Sequence, residues 1–207
     1  AVEAGFPNIN VDLMFAIPGQ TCESWKHNLE TVAELLPEHI SAYSLIIEEG
    51  TPFARKKLIL PTEDEEYQMY EDTAEILRKY GFHQYEISNY ARNGFECRHN
   101  KGYWQRTEYL GAGLGAASLF QGQRFSNTSD MKVYLSDSTD PEKIREDVTT
   151  LSGSNEMEEF MFLGLRMTEG ISERQFERNF GCRIEDIYGS VLTKYKDMDL
   201  LEHTGEV

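Results

Sequence analysis

From Val11 to Ile17 the chain reads Val-Asp-Leu-Met-Phe-Ala-Ile, a nearly continuous apolar stretch with one carboxylate inside it, closed by Pro18-Gly19. Such a run ending in a turn pair is the pattern of a strand buried on both faces. The period then changes. Trp25, Leu29, Val32 and Leu36 recur at steps of four, three and four, which predicts one face of a helix ending near Leu36, before Pro37. Thr21 is placed to cap it, and Glu23 suits its positive end. Ile40 to Ile47 predicts a second strand. Thr62-Glu63-Asp64-Glu65 is a capping box, opening a helix through Met69, Tyr70, Ala74 and Leu77 that Gly81 stops. Phe82 to Ile87 predicts a third strand. A β-α-β-α-β order with short links predicts a parallel sheet with right-handed crossovers.

Beyond Ser88 the pattern loses its period until about residue 108. Tyr109 to Ala117 is small and Gly-rich. Ser118 to Ser126 reads as a hairpin around Gly122, and a helix follows from Asn127–Asp130 through Tyr134 and Leu135. Residues 136–155 hold Ser, Thr, Asp, Pro141 and Gly153, with a short helical piece near Glu142–Asp147; the domain boundary is expected here. Three helices follow. Met157, Phe160, Met161 and Gly164 share one face, Ser172-Glu173-Arg174-Gln175 is a capping box, and Ile184, Ile187, Tyr188, Val191, Leu192 and Tyr195 form an amphipathic stripe. The chain opens on a buried-type strand and stops at Glu206-Val207 soon after a helix. A three-stranded parallel sheet leaves an edge that proteins usually cover, so the chain is expected to be the C-terminal part of a longer protein.

Charge narrows the function. The 207 residues include 36 Asp+Glu and 20 Lys+Arg, a formal net charge of −16. Phosphate backbones and anionic lipid surfaces repel such a chain. The helical tail invites a helix-turn-helix reading, but residues 137–207 carry 17 acids against 8 Lys/Arg, which opposes DNA binding. No apolar run approaches the ~20 residues of a membrane helix, and no secretory signal is visible in Ala1–Asn10. Cys22, Cys97 and Cys182 lie far apart with no C-x-x-C pair, which predicts reduced thiols in a cytoplasmic compartment and no local zinc or iron–sulfur site.

Two places stand out chemically. Asp12 lies in an apolar strand, where an unpartnered carboxylate is costly; it pairs, caps a loop or holds a ligand. Cys97-Arg98-His99-Asn100-Lys101-Gly102-Tyr103-Trp104 is the densest polar–aromatic stretch. An imidazole can ligate haem iron, Tyr and Trp rings can pack on a porphyrin, and Asn100 can hold the imidazole tautomer or a propionate. Alternatively His99 and Asn100 satisfy loop backbone while the rings fill core. Gly111, Gly113 and Gly115 form G-x-G-x-G, not the dinucleotide pattern, and read as close backbone packing in a strand. Glu48-Glu49 and Arg55-Lys56-Lys57 read as solvated loop faces.

Several stretches together resemble the radical-SAM proteins of the oxygen-independent coproporphyrinogen III oxidase-like family, in its haem chaperone branch. They are Val11 to Thr21, Glu38 to Leu45, Glu48 to Phe53 and Gln84 to Arg92. Most specific is His99-Asn100-Lys101-Gly102-Tyr103-Trp104, which matches the H-N-x-x-Y-W motif of that branch. Residues 154–207 resemble the family's C-terminal helical domain.

The resemblance implies an α/β fold: a partial (β/α) radical-SAM barrel with parallel strands over 1–140, then a small winged-helix-like helical domain over 150–207. It implies that Asp12, Leu45 and Ile46 contact S-adenosylmethionine. His99, Asn100, Tyr103 and Trp104 become the haem candidates, with His99 the iron ligand. It implies a haem-binding chaperone that delivers haem to respiratory haem proteins, without nucleic acid and not integral to a membrane. The alternative is an oxygen-independent coproporphyrinogen III oxidase, an oxidoreductase of porphyrin biosynthesis. The family's C-x-x-x-C-x-x-C motif for a [4Fe–4S] cluster is absent from this sequence, so this chain alone is expected to be inactive. Ala16 stands where most relatives have Gly, and Ala117 where many have His.

Overall fold

A computed structural model of the chain describes residues 2–205; Ala1, Glu206 and Val207 lie outside the described residues. In order the elements are β1 (Asn10–Phe15), α1 (Cys22–Glu34), β2 (His39–Ser44), α2 (Glu63–Lys79), β3 (His83–Glu86), β4 (Asn89–Ala91), α3 (Arg98–Trp104), β5 (Ala117–Phe120), β6 (Gln123–Asn127), α4 (Met131–Asp137), α5 (Pro141–Ile144), β7 (Arg145–Thr150), α6 (Gly153–Gly164), α7 (Glu173–Phe180) and α8 (Ile184–Asp197). They gather into two compact units, Ala1–Cys97 and Arg98–Val207.

The first unit is an open sheet in the order β1-β2-β4-β3. β1 and β2 are parallel, from Asn10 opposite His39 to Phe15 opposite Ser44, and α1 is the crossover between them. The sheet is not parallel throughout, as the sequence pattern predicted. β4 is antiparallel to both neighbours and separates β3 from β2. The cause is local. Ile87-Ser88 is a two-residue turn, and two residues suffice to fold a strand back on itself, whereas a parallel pairing needs a long crossover.

β1 also differs from expectation. It is an edge strand, and only one of its faces is covered. Val11 and Leu13 are half-buried and Phe15 is buried, while Asn10, Asp12 and Met14 are exposed. The period is therefore two; Met14 hid it by placing an apolar residue on the open face. On the covered face, Phe15, Trp25, Leu29, Ala33, Ile40, Met69, Leu77, Phe82 and Tyr90 form the core. The Trp25 indole N–H donates to the Met69 carbonyl and to Thr73 Oγ1, both at 3.0 Å, and so ties α1 to α2.

The helix ends follow cap chemistry. Thr21 and Ser24 form a reciprocal capping box on α1, and Thr62 and Glu65 form the predicted one on α2. α1 ends at Glu34, earlier than expected. Leu36 takes a left-handed conformation (φ 56°) and is exposed, so Ala33 rather than Leu36 completes the buried stripe.

The second unit holds an antiparallel sheet, β5-β6-β7. The β5–β6 hairpin closes at Gln121-Gly122 as predicted. β7 replaces the second half of the helix expected over 142–147. The helix stops at Ile144, and Arg145 onwards pairs with β6; Val148, Thr149 and Thr150 are strand formers. The Gly-rich stretch is a loop rather than a strand, and it does pack closely. A Cβ on Gly111 would collide with the Ala117 carbonyl. Asp130 caps α4 and Ser172 caps α7. Phe160, Phe176 and Ile184 form the helical core, with Tyr188 and Leu192 packed against it. The rest of the α8 stripe, Ile187, Val191 and Tyr195, faces out.

Candidate functional site

The face of the first sheet opposite its apolar core carries a connected set of polar side chains, exposed on β1 and buried on β2, β3 and β4. In a sheet, residues paired across strands share a face. Asn10 opposes His39, Asp12 opposes Ser41, and Ser41 opposes Asn89. A bulge between Gln84 and Glu86 brings Tyr85 and Glu86 to this same side, because Tyr85 reaches His39 and Glu86 accepts from Asn89 Nδ2. Asn10 Nδ2 donates to Asp12 Oδ1 at 2.7 Å. His39 Nδ1 lies 2.7 Å from Asn10 Oδ1, and His39 Nε2 lies 2.9 Å from the Tyr85 hydroxyl. Burial holds the His39 imidazole below its ordinary pKa, against the opposing pull of Asp12 and Glu96.

Of the predicted cofactor residues, Asp12 is exposed on this face rather than buried in the strand. Leu45 and Ile46 follow β2 directly, half-buried and exposed. The Leu45 N–H donates to the Phe15 carbonyl at 2.9 Å, so the pair stands at the C-terminal ends of β1 and β2, where open α/β sheets take ligands. Asp12 opposes Ser41, four positions before Leu45, a separation on the order of 13 Å along the strands. These residues fit a cofactor with hydroxyl or amino donors at one part and an apolar ring at another. Near the same strand ends, Phe15, Ala42, Ser44, Glu66, Tyr70 and Ser88 line part of a cavity of about 370 Å³ under the start of α2.

His99, Asn100, Tyr103 and Trp104 all lie on α3. The spacing makes two i,i+4 pairs, which sets His99 by Tyr103 and Asn100 by Trp104 on neighbouring faces. The His99 and Tyr103 rings meet edge to face at 4.5 Å, and Tyr103 meets Tyr109 at 4.6 Å. His99 is exposed, and its ring nitrogens carry no hydrogen bond among the described residues. Trp104 is half-buried; the Arg166 guanidinium covers its ring at 4.3 Å. Asn100 is half-buried.

Behind α3, Glu159 of α6 accepts from Arg106 Nε at 3.0 Å and from Arg124 Nε at 2.6 Å. Burial pushes the Glu159 carboxyl up, but the bonds from Arg124 and Arg106 outweigh it and hold the group below the usual carboxylate range. Sequence reasoning did not select Asn10, His39, Ser41, Tyr85 or Glu159. The available signal was polar alternation, Asn10 with Asp12 and His39 with Ser41.

The three cysteines are free and half-buried. Among the described residues no group of three or more His, Cys, Asp or Glu is arranged to hold a metal ion, and no helix is long and apolar enough to cross a membrane. Ala117 begins β5 and is exposed.

Comparison with known proteins fits this arrangement. A family model described as the HemN C-terminal domain matches residues 151–207. The heme chaperone HemW of Lactococcus lactis is 41% identical over 203 residues, covering 96% of this chain and 53% of that protein. The heme chaperone HemW of Bacillus subtilis is 38% identical over 211 residues, 99% of this chain and 55% of that protein. The chain thus spans about half the length of the curated relatives it matches. Among solved structures, coproporphyrinogen III oxidase (HemN) from Escherichia coli, a radical SAM enzyme, superposes with a TM-score of 0.78 at 20% identity, over 96% of this chain and 49% of that one. That likeness carries the fold: a partial, open radical-SAM barrel with a C-terminal helical part.

Proposed function

The chain belongs to the radical-SAM coproporphyrinogen-oxidase-like family of HemW and HemN, and on that premise we propose that it is the haem-holding portion of a haem chaperone. The carrying observation is His99, an exposed imidazole whose nitrogens carry no hydrogen bond among the described residues, set edge to face with Tyr103 within His-Asn-Lys-Gly-Tyr-Trp. A neutral imidazole with a free lone pair is an iron ligand. Tyr103 supplies an aromatic ring beside it, Asn100 a propionate contact, and Trp104 support from the covered side. The cargo is haem, and the acceptors are respiratory haem proteins.

Asp12, Leu45 and Ile46 are the residues we assign to S-adenosylmethionine, which supplies one-electron chemistry when bound beside a reduced [4Fe–4S] cluster. The cluster's ligands are not among this chain's three separated cysteines, so we assign them to the part of the relatives that this chain does not span. We assign 1–140 to the barrel and 150–207 to the helical domain. The free cysteines support a cytoplasmic location.

Transfer tests the chaperone reading. Full-length protein loaded with haem is mixed with the apo form of a respiratory haem protein, and the Soret band is followed. Movement of haem to the acceptor, with no decarboxylation of coproporphyrinogen III, is expected. Retention of haem together with production of protoporphyrinogen IX would establish the oxidase instead.

A further inference from the structure

We infer that His39 is a positioning residue for Asp12: a neutral Nδ1–H imidazole fixes the Asn10 amide, and that amide orients the Asp12 carboxylate at the exposed β1 margin of the polar face. The hydrogen-bond order stands on geometry alone; its meaning for a ligand rests on the assignment of Asp12 to S-adenosylmethionine.

The two ends of the chain of bonds fix its direction. An ionised carboxylate only accepts, and a backbone N–H only donates. Asp12 Oδ1 is 2.7 Å from the Asn10 side-chain nitrogen, so the amide must turn Nδ2 toward Asp12 and Oδ1 toward His39. Asn10 Oδ1 then accepts from His39 Nδ1 at 2.7 Å and from Ser41 Oγ at 3.3 Å. His39 Nδ1 therefore carries a proton. At the other end, the Cys97 N–H donates to the Tyr85 hydroxyl oxygen at 3.3 Å. The Tyr85 hydroxyl then donates to His39 Nε2 at 2.9 Å.

Every polarity agrees with one neutral tautomer. His39 and Tyr85 are both buried, 5% and 4% exposed, where a mismatched donor costs most. The charged groups acting on the ring are Asp12 and Glu96; burial outweighs both and favours the neutral form. Among the described residues Asp12 Oδ2 accepts no hydrogen bond, so the arrangement holds one oxygen and presents the other.

The test is a long-range ¹⁵N–¹H correlation spectrum of the 207-residue chain at neutral pH. His39 is expected as a single neutral species protonated at Nδ1. Asp12→Ala removes the acceptor-only end, and Asn10→Ala removes the link; both residues are exposed, so the fold is retained. In each variant only the Tyr85 end still favours Nδ1–H, so the Nδ1–H population falls and Nε2–H appears beside it. An Nε2–H tautomer in the wild type, or no change in either variant, would overturn the inference.

S-adenosylmethionine affinity of the full-length protein separates the ligand reading from the bond order. Asp12→Ala should abolish binding, and Asn10→Ala should weaken it roughly tenfold, the lower end of outer-shell effects at metal sites. His39→Asn, which keeps a donor near the Nδ1 position, should bind more tightly than His39→Leu. Loss in Asp12→Ala with none in Asn10→Ala would overturn the positioning role. No loss in either would overturn the assignment of Asp12 to the ligand, and the spectra would still decide the bond order.

Discussion

Two histidines sit in different regions and are prepared for different work. His39, on the polar face of the first sheet, is buried with both ring nitrogens bonded. His99, on α3 in the second unit, is exposed, meets the Tyr103 ring edge to face, and has no hydrogen bond on its ring nitrogens among the described residues. An imidazole bonded at both nitrogens has no lone pair to offer unless a network breaks. One with free nitrogens can take a metal at once. The contrast shows that histidine chemistry is set by what already occupies its nitrogens. It also separates the costs: altering His39 should cost stability, while altering His99 should cost binding.

The largest expected stability effect lies behind α3 and asks how firmly that site is backed. Glu159→Gln takes the shared carboxylate from Arg106 and Arg124 and leaves Arg106 only its longer pairing with Glu156 at 3.5 Å. Removing one partner of a fully buried pair costs about 3–5 kcal/mol. Arg124 keeps a third of its side chain in water, so about 2–3 kcal/mol is expected, read from the urea midpoint. The wild-type contribution is complete above a carboxylate's ordinary pKa near 4.5 and falls away as pH drops through the lowered folded value. A change under ~0.5 kcal/mol would mean that solvent screens the triad.

His39→Leu comes next. It leaves the Tyr85 hydroxyl and Asn10 each short of a partner, a loss of about 1–3 kcal/mol. Its pH signature is more specific. Because the folded pKa of His39 is lowered, its contribution is complete above the ordinary value of 6.5 and is lost as pH falls through the folded value. Unfolding free energies between about pH 7.5 and 5.5 should lose that slope in His39→Leu and keep it in His99→Ala. The same slope in both variants would remove the distinction between the two histidines.

The smallest effect is at Ala16, just after β1. Its φ is 56°, and it is buried. This explains why the position suits Gly. Ala16→Gly relieves about 1–2 kcal/mol of left-handed strain but loses a buried methyl of ~0.8 kcal/mol and adds about 0.4–1 kcal/mol of unfolded-state entropy. The net change should stay under ~1 kcal/mol in either direction. A loss above that would mean that the methyl packs more tightly than an ordinary core group.

What could be read in the sequence was local. Thr62 with Glu65, Thr21 beside a helix start, and Gly122 in its hairpin act through neighbours in the chain, and all appear where expected. What could not be read was pairing. Nothing near Ile87-Ser88 says that the third strand turns back to insert β4 beside β2. Asp12 looked buried because Met14 broke the alternation, and the exposure of β1 depends on its place at the sheet edge. The site shows the same division. The H-N-x-x-Y-W spacing makes His99–Tyr103 an i,i+4 contact on any helix. The Asn10–His39–Tyr85 chain needs four strands in register and a bulge, and is invisible until the sheet is formed.

The most direct test of the central claim is a haemin titration of this chain, wild type against His99→Ala, followed by the Soret band. A saturable, red-shifted band in the wild type that is lost in His99→Ala, while His39→Leu keeps it, is the predicted result. Equal and weak binding in wild type and His99→Ala would contradict His99 as the iron ligand and, with it, the assignment of the haem site to α3.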